Sequence, residues 1–147
     1  MGRADSAVDK FKSGFNCAQG VLFSYARDLD LSEETALKIS HGFGGGMGRK
    51  QEVCGAVTGA LMVLGMIYGR STLDANDMHN TMYAKVREFT DAFEYENGTI
   101  ICRDLLPGCC LLTDGGQKFF KENSLKEKCC GFVRNSCEIL EKMHLPM

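Results

Sequence analysis

The sequence predicts an all-α protein, a single-domain helical bundle of six to eight helices around a buried, glycine-rich central helix. Three observations lead there. Apolar residues recur at helical spacing, as in Met78, Met82, Val86, Phe89 and Phe93. No stretch shows the sustained alternation of a half-buried strand. The run Val53–Gly69 carries no charged residue and sets small residues at helical spacing: Gly55 and Gly59, Ala56 and Ala60, Gly65 and Gly69. Glycine inside a helix costs about 0.8–1 kcal/mol relative to alanine. Four in one helix imply close approach of another backbone or of a cofactor. The run has 17 residues, flanked by Glu52 and Arg70. A membrane span usually needs about 18 or more, so the run reads as a core helix.

The whole chain bounds the rest. Its 147 residues suffice for one domain, 1–147, with a real core. A hydrophobic share of 44% and a charged share of 24% fit a soluble globule. The net charge of -2 gives no electrostatic case for nucleic acid or for a polybasic membrane patch. The start, Met1 to Ser6, is polar and shows no signal peptide. Eight cysteines stand at 17, 54, 102, 109, 110, 129, 130 and 137. Without secretion signals and with a good core, they point to reduced thiols, a metal site or a redox role in the cytoplasm.

In chain order, residues 4–13 form a short helix with Ala4, Val8 and Phe11 on one side, broken at Gly14. Asn16 caps a helix over 17–29, which places Cys17 in its first turn. Ser32 caps a third over 33–41, supported by Glu33 and Glu34 at the positive end of the dipole. A glycine loop, 42–48, leads to the central helix, which starts at Glu52 or Val53 and runs to Tyr68. Asp74 or Asp77 caps a long helix to Tyr95, and Asn97-Gly98 ends it. Residues 99–106 make a short helix or turn, closed by Pro107-Gly108, and a loop runs from Cys109 to Gly116. Asp114 leads a short helix through Lys121. The last helix, 125–143, carries Cys129, Val133, Cys137, Leu140 and His144 on one face.

The glycine loop invites a phosphate-binding reading. The Walker pattern is absent, since Gln51 follows Lys50, and no strand precedes the loop for a dinucleotide fold. What remains is a tight turn that lets backbone run close to whatever sits beside Cys54. Free N–H groups at a helix N-terminus favour thiolate, the form that acts as nucleophile and as metal ligand. Cys54 and Cys17 both stand at such ends; the alternative for each is a small buried hydrophobe. No Cys-x-x-Cys occurs, which weighs against a thioredoxin-type dithiol, a zinc ribbon and a ferredoxin-type cluster loop. Without Cys-x-x-Cys-His, haem is not expected. His41, His79 and His144 are scattered and read as surface or cap residues.

Cys54-Gly-Ala-Val-Thr-Gly, with three further segments in order, resembles the C_GCAxxG_C_C family, labelled redox-active for its cysteines. Gly14-Phe-Asn-Cys-Ala-Gln resembles its first segment and gives Cys17. Gly42-Phe-Gly-Gly-Gly-Met-Gly followed by Val53-Cys-Gly-Ala-Val-Thr-Gly resembles its centre and gives Cys54. Ile101-Cys-Arg-Asp-Leu-Leu resembles the third and gives Cys102. The fourth is Cys129 or Cys130. The resemblance favours Cys129, which stands four before Val133, as the family's last cysteine tends to stand before a valine-like residue. It also implies a mostly helical fold and a relation to the cluster-binding domain of split-Soret cytochrome c. Cys109, Cys110, Cys137 and one of the 129/130 pair lie outside the four-cysteine pattern.

Three functions follow as expectations. The first is a cysteine-ligated iron–sulfur cluster for electron transfer, with Cys17, Cys54, Cys102 and Cys129 as ligands and zinc as the lesser variant. Gly45 and Gly46 would leave it room and offer N–H groups to its sulfides. The second is a thiol–disulfide protein in which Cys54 is the nucleophile and Cys17 or Cys102 resolves. The third is a helical accessory subunit whose cysteines only pack. The sequence names no redox partner. The small-residue ridge could pack on an intrachain helix or on a second copy, as a homodimer.

Overall fold

Side-chain caps start the second and third helices where the sequence places them. The computed structural model describes residues 2–147; Met1, the first residue of the expected domain, lies outside the described residues. Helix α1 spans Arg3–Lys12 and α2 spans Cys17–Ala26. Asn16 caps α2 reciprocally with Gln19: its side chain accepts the Gln19 N–H, and the Gln19 side chain accepts the Asn16 N–H. Helix α3, Glu33–Ser40, begins under Ser32, which accepts the Thr35 N–H at 3.0 Å. A single turn, α4 (Gly44–Met47), precedes the central α5, Gly55–Tyr68. Then come α6 (Asn76–Asn97), the single turn α7 (Cys102–Leu105), α8 (Asp114–Glu122) and α9 (Leu125–Lys142). Seven of these helices reach eight residues or more, and no strand forms among the described residues. No helix among them is long and apolar enough to cross a membrane.

Helix α5 sits at the centre, against α2, α6 and α9, while α2 also packs on α1 and α3. Val57, Val63 and Leu64 of α5 are fully buried. Each is worth roughly 1.5–3 kcal/mol, more than the about 0.8–1 kcal/mol that each interior glycine costs. The small residues are used unequally. A Cβ on Gly59 would stand 2.8 Å from the Ala18 carbonyl oxygen, so α2 and α5 touch backbone to backbone there. A Cβ on Gly65 would meet only the end of Met82, at 3.8 Å. The ridge therefore packs within the chain at its N-terminal half. Helix α9 is tied to the same turn by Ser136, whose hydroxyl donates to the Ala56 carbonyl at 2.8 Å.

Several boundaries differ from expectation. The central helix starts at Gly55, with Cys54 as its N-cap, rather than at Glu52 or Val53. Val53 instead forms an antiparallel bridge with Ile101. The Cys54 N–H donates to Ile100 at 2.8 Å and the Cys102 N–H to Glu52 at 2.6 Å. Helix α2 ends at Ala26, not at 29. Helix α6 begins after Ala75 without a side-chain cap, so neither Asp74 nor Asp77 caps it. Its predicted stripe is buried only at Phe89 and Phe93; Met78 is exposed. Helix α8 does start at Asp114, under a Thr113 cap, and runs one residue past Lys121. His144 lies beyond α9, with positive φ.

The glycine loop continues further than its glycines. Gly45, Gly46, Met47, Gly48, Arg49 and Gln51 all take left-handed φ, between 57° and 69°. Cross-links hold the run: Gly48 N–H to Gly42, Gln51 N–H to Gly45 and Glu52 N–H to Gly46, at 2.9–3.0 Å. A side chain on Gly46 would meet the Gln51 Cα at 2.6 Å and the Cys102 Cβ at 2.8 Å. That crowding and the positive φ together require glycine.

Candidate functional site

Four cysteines line one partly open, largely apolar cavity of about 90 Å³: Cys17, Cys54, Cys102 and Cys129. Each comes from a different element. Cys17 opens α2 and Cys54 caps α5, so two helix N-termini face the cavity with their free N–H groups. Cys102 opens the α7 turn and is brought beside Cys54 by the 52–54 and 100–102 pairing. Cys129 stands on α9, four residues before the fully buried Val133. Gly45 and Gly46 form part of the wall, with Phe11, Phe120 and Phe132 as its aromatic lining.

Glycine makes this convergence sterically feasible. A Cβ on Gly55 would stand 2.6 Å from the Cys17 sulfur and 3.1 Å from the Ala18 nitrogen. The segment Cys54-Gly-Ala-Val-Thr-Gly thus supplies a thiol at Cys54, clearance for the Cys17 sulfur at Gly55 and clearance for the α2 backbone at Gly59.

The thiols differ electrostatically. The Cys17 thiol is held down to about 7, first by the Cys54 thiol, which donates to its sulfur. Backbone N–H groups of Gly45, Ala18 and Cys17 itself add to this, against burial. Cys54 moves the other way: donating to Cys17, burial and the Cys17 charge all raise it well above the ordinary thiol value. Cys17 gathers backbone donors as well as the Cys54 thiol, and the two shifts run in opposite directions. Burial pushes Cys102 up to about 12 and raises Cys129 strongly.

The remaining cysteines stand apart. Cys130, expected at the site beside Cys129, is buried but does not line the cavity; neighbouring positions on a helix point about 100° apart. The Cys109 thiol donates to the Gly116 carbonyl at 3.4 Å, Cys110 is exposed, and Cys137 is buried 3.8 Å from the Ser24 hydroxyl. Among the described residues, no three His, Cys, Asp or Glu side chains stand close enough to hold a single metal ion. The four cavity thiols are spread around a volume instead of gathered on a point.

Sequence reasoning missed Gln51. It registered there only as the residue that breaks a Walker pattern, yet its side chain is buried between the glycine loop and Cys102. It also missed the open groove of about 950 Å³ behind the cavity, which shares Asn16, Gly45, Leu111 and Phe120 with it. Lys38, Arg49 and Lys121 line that groove, and no carboxylate does among the described residues.

The arrangement defines a class: an all-α protein whose thiols converge from separate helices on one cavity. The chain belongs to the C_GCAxxG_C_C family, whose model, described as "Putative redox-active protein (C_GCAxxG_C_C)", matches residues 15–143. Cys17, Cys54, Cys102 and Cys129 all fall within the matched residues. No curated protein and no solved structure matches the chain.

Proposed function

We propose that this chain is an electron-transfer protein that holds an iron–sulfur cluster through Cys17, Cys54, Cys102 and Cys129. The observation that carries the reading is the cavity with four thiols on its wall. The cavity holds about 90 Å³ behind largely apolar walls, which do not suit water, since water needs two to four polar partners. Four thiolates are the donor set of an iron–sulfur cluster. Their spread suits a group with its own extent better than a lone zinc ion, which demands four ligands on one centre. When bound, the cluster supplies reversible one-electron transfer.

The chain's own residues do the rest. The N-termini of α2 and α5 stabilise negative charge on Cys17 and Cys54. Gly45 offers its N–H to the Cys17 sulfur. Phe11, Phe120 and Phe132 give the cavity an apolar lining. An electron partner would approach over the groove that carries Lys38, Arg49 and Lys121, separated from the cavity by the Gly45 wall. Anaerobic reconstitution with ferrous iron and sulfide tests the reading. Expected are bound iron, a visible charge-transfer band, and loss of both on replacing Cys17, Cys54 or Cys102 by Ala. A reconstituted wild type with neither iron nor the band overturns it.

One observation favours a second reading, the Cys17–Cys54 thiol pair itself. Here the Cys17 thiolate attacks a substrate disulfide and releases one substrate thiolate. Cys54, losing its proton, then attacks Cys17 and releases the second sulfur of the mixed disulfide. The substrate is reduced to two thiols and the pair is oxidised to one disulfide. Thiol counts before and after reductant separate the readings: two thiols lost on oxidation by a model disulfide support this one, and an unchanged count removes it.

A further inference from the structure

Gln51 is pinned on three sides. Its N–H donates to Gly45 at 3.0 Å, its carbonyl accepts from Arg103 at 3.1 Å, and its side-chain Oε1 accepts the Leu111 N–H at 2.9 Å. The residue is 5% exposed and left-handed, with φ of 57°. With Oε1 committed, the direction of the amide is fixed. Its Nε2 is buried and finds no hydrogen-bond partner among the described residues. An unpartnered buried donor destabilises the fold, and so does a left-handed non-glycine residue. Two such costs at one residue point to an acceptor that this side chain is kept for.

The acceptor is adjacent. Gln51 Cα and Cys102 Cβ flank the same point, 2.6 and 2.8 Å from where a Gly46 side chain would begin. A neutral thiol is a weak acceptor, whereas a ligating thiolate is a strong one.

We propose that Gln51 is a positioning and tuning residue: its Nε2 donates an N–H···S hydrogen bond to the Cys102 sulfur when that sulfur is a metal-ligating thiolate. The inference rests on the cluster reading above. Hydrogen bonds to ligand sulfurs set reduction potentials, and outer partners hold ligands in place. Withdrawing density from the sulfur favours the more negative, reduced state and raises the potential.

The test compares reconstituted wild type with Gln51→Met, which removes the donor, and Gln51→Glu, which keeps an acceptor for Leu111. Both variants are expected to take up iron with the wild-type visible spectrum, to shift to lower potential, and to release iron to a chelator roughly 10–100-fold faster. Wild type labelled with ¹⁵N-glutamine and then reduced is expected to show a weak nitrogen coupling to the cluster spin, a readout that needs no variant. Unchanged potential and release in a folded variant overturn the role of Gln51 alone, as does a labelled wild type without the coupling. A wild type that binds no iron overturns the cluster reading, and the inference falls with it.

Discussion

The Cys17 and Cys54 thiols shift in opposite directions, and the sign of each shift fixes how stability follows pH. Cys17 is lowered from 9.0 to about 7. Its contribution is fully present above the unfolded value and is lost as pH falls through 7. Cys137 is raised from 9.0 to about 12 by burial. Its contribution is present below the unfolded value and is lost as pH rises from 9 towards 12. Cys54, Cys102 and Cys129 are raised too and steepen that fall. Urea midpoints of the metal-free protein should therefore rise between pH 7 and 9 and decline above it. Cys17→Ala is expected to flatten the rise, and Cys137→Ala to soften the decline. At pH 7, alkylation followed by peptide mapping should find Cys17 modified first. Cys54→Ala should slow that reaction several-fold, because it removes the donor that lowers Cys17 most.

At the scale of elements, the glycines of α5 separate into those that permit a contact and those that do not. Gly59→Ala puts a methyl 2.8 Å from the Ala18 carbonyl and 3.1 Å from its Cα, both backbone atoms that move only with the helix. Chemical denaturation should show a loss of about 1–3 kcal/mol, the range for overpacking. Gly65→Ala meets only a flexible methionine end at 3.8 Å and should gain up to about 1 kcal/mol from helix propensity. Equal effects at the two positions would remove the close α2–α5 contact from the account. The same helix shows what its sequence could and could not reveal. Its apolar run, its small residues and the caps at Asn16 and Ser32 are local signals, and they were legible. Its start was not. Val53 looks like a further helical apolar residue, and only pairing with the distant Ile101 makes it extended. The left-handed Met47, Arg49 and Gln51 were hidden for the same reason, since nothing in those residue types prefers positive φ. The cysteine segments were readable in order. The choice between Cys129 and Cys130 depended on which face α9 turns to the cavity, a tertiary fact.

At the scale of the whole molecule, the cavity lies where α2, α5, α7 and α9 meet, so its contents couple elements that are otherwise far apart in sequence. The Cys102 turn is held to the core mainly through the short 52–54 and 100–102 pairing, and the exposed Glu52–Arg103 ion pair across it adds little. A group ligated by all four thiols would cross-link these elements from the centre, and any ligand that binds only the folded state stabilises it. Anaerobic loading should therefore raise the thermal midpoint of the wild type and slow hydrogen exchange in α2, α5 and the 100–106 turn together. Cys102→Ala removes one tie. It should lose most of the gain on loading while leaving the metal-free midpoint close to wild type, because the thiol is small and already part of an apolar wall. Cys110→Ala, at an exposed position away from the cavity, should keep the full gain. A midpoint that rises equally in both variants would mean that the stabilising metal binds elsewhere, and that the four thiols share a wall without sharing a ligand.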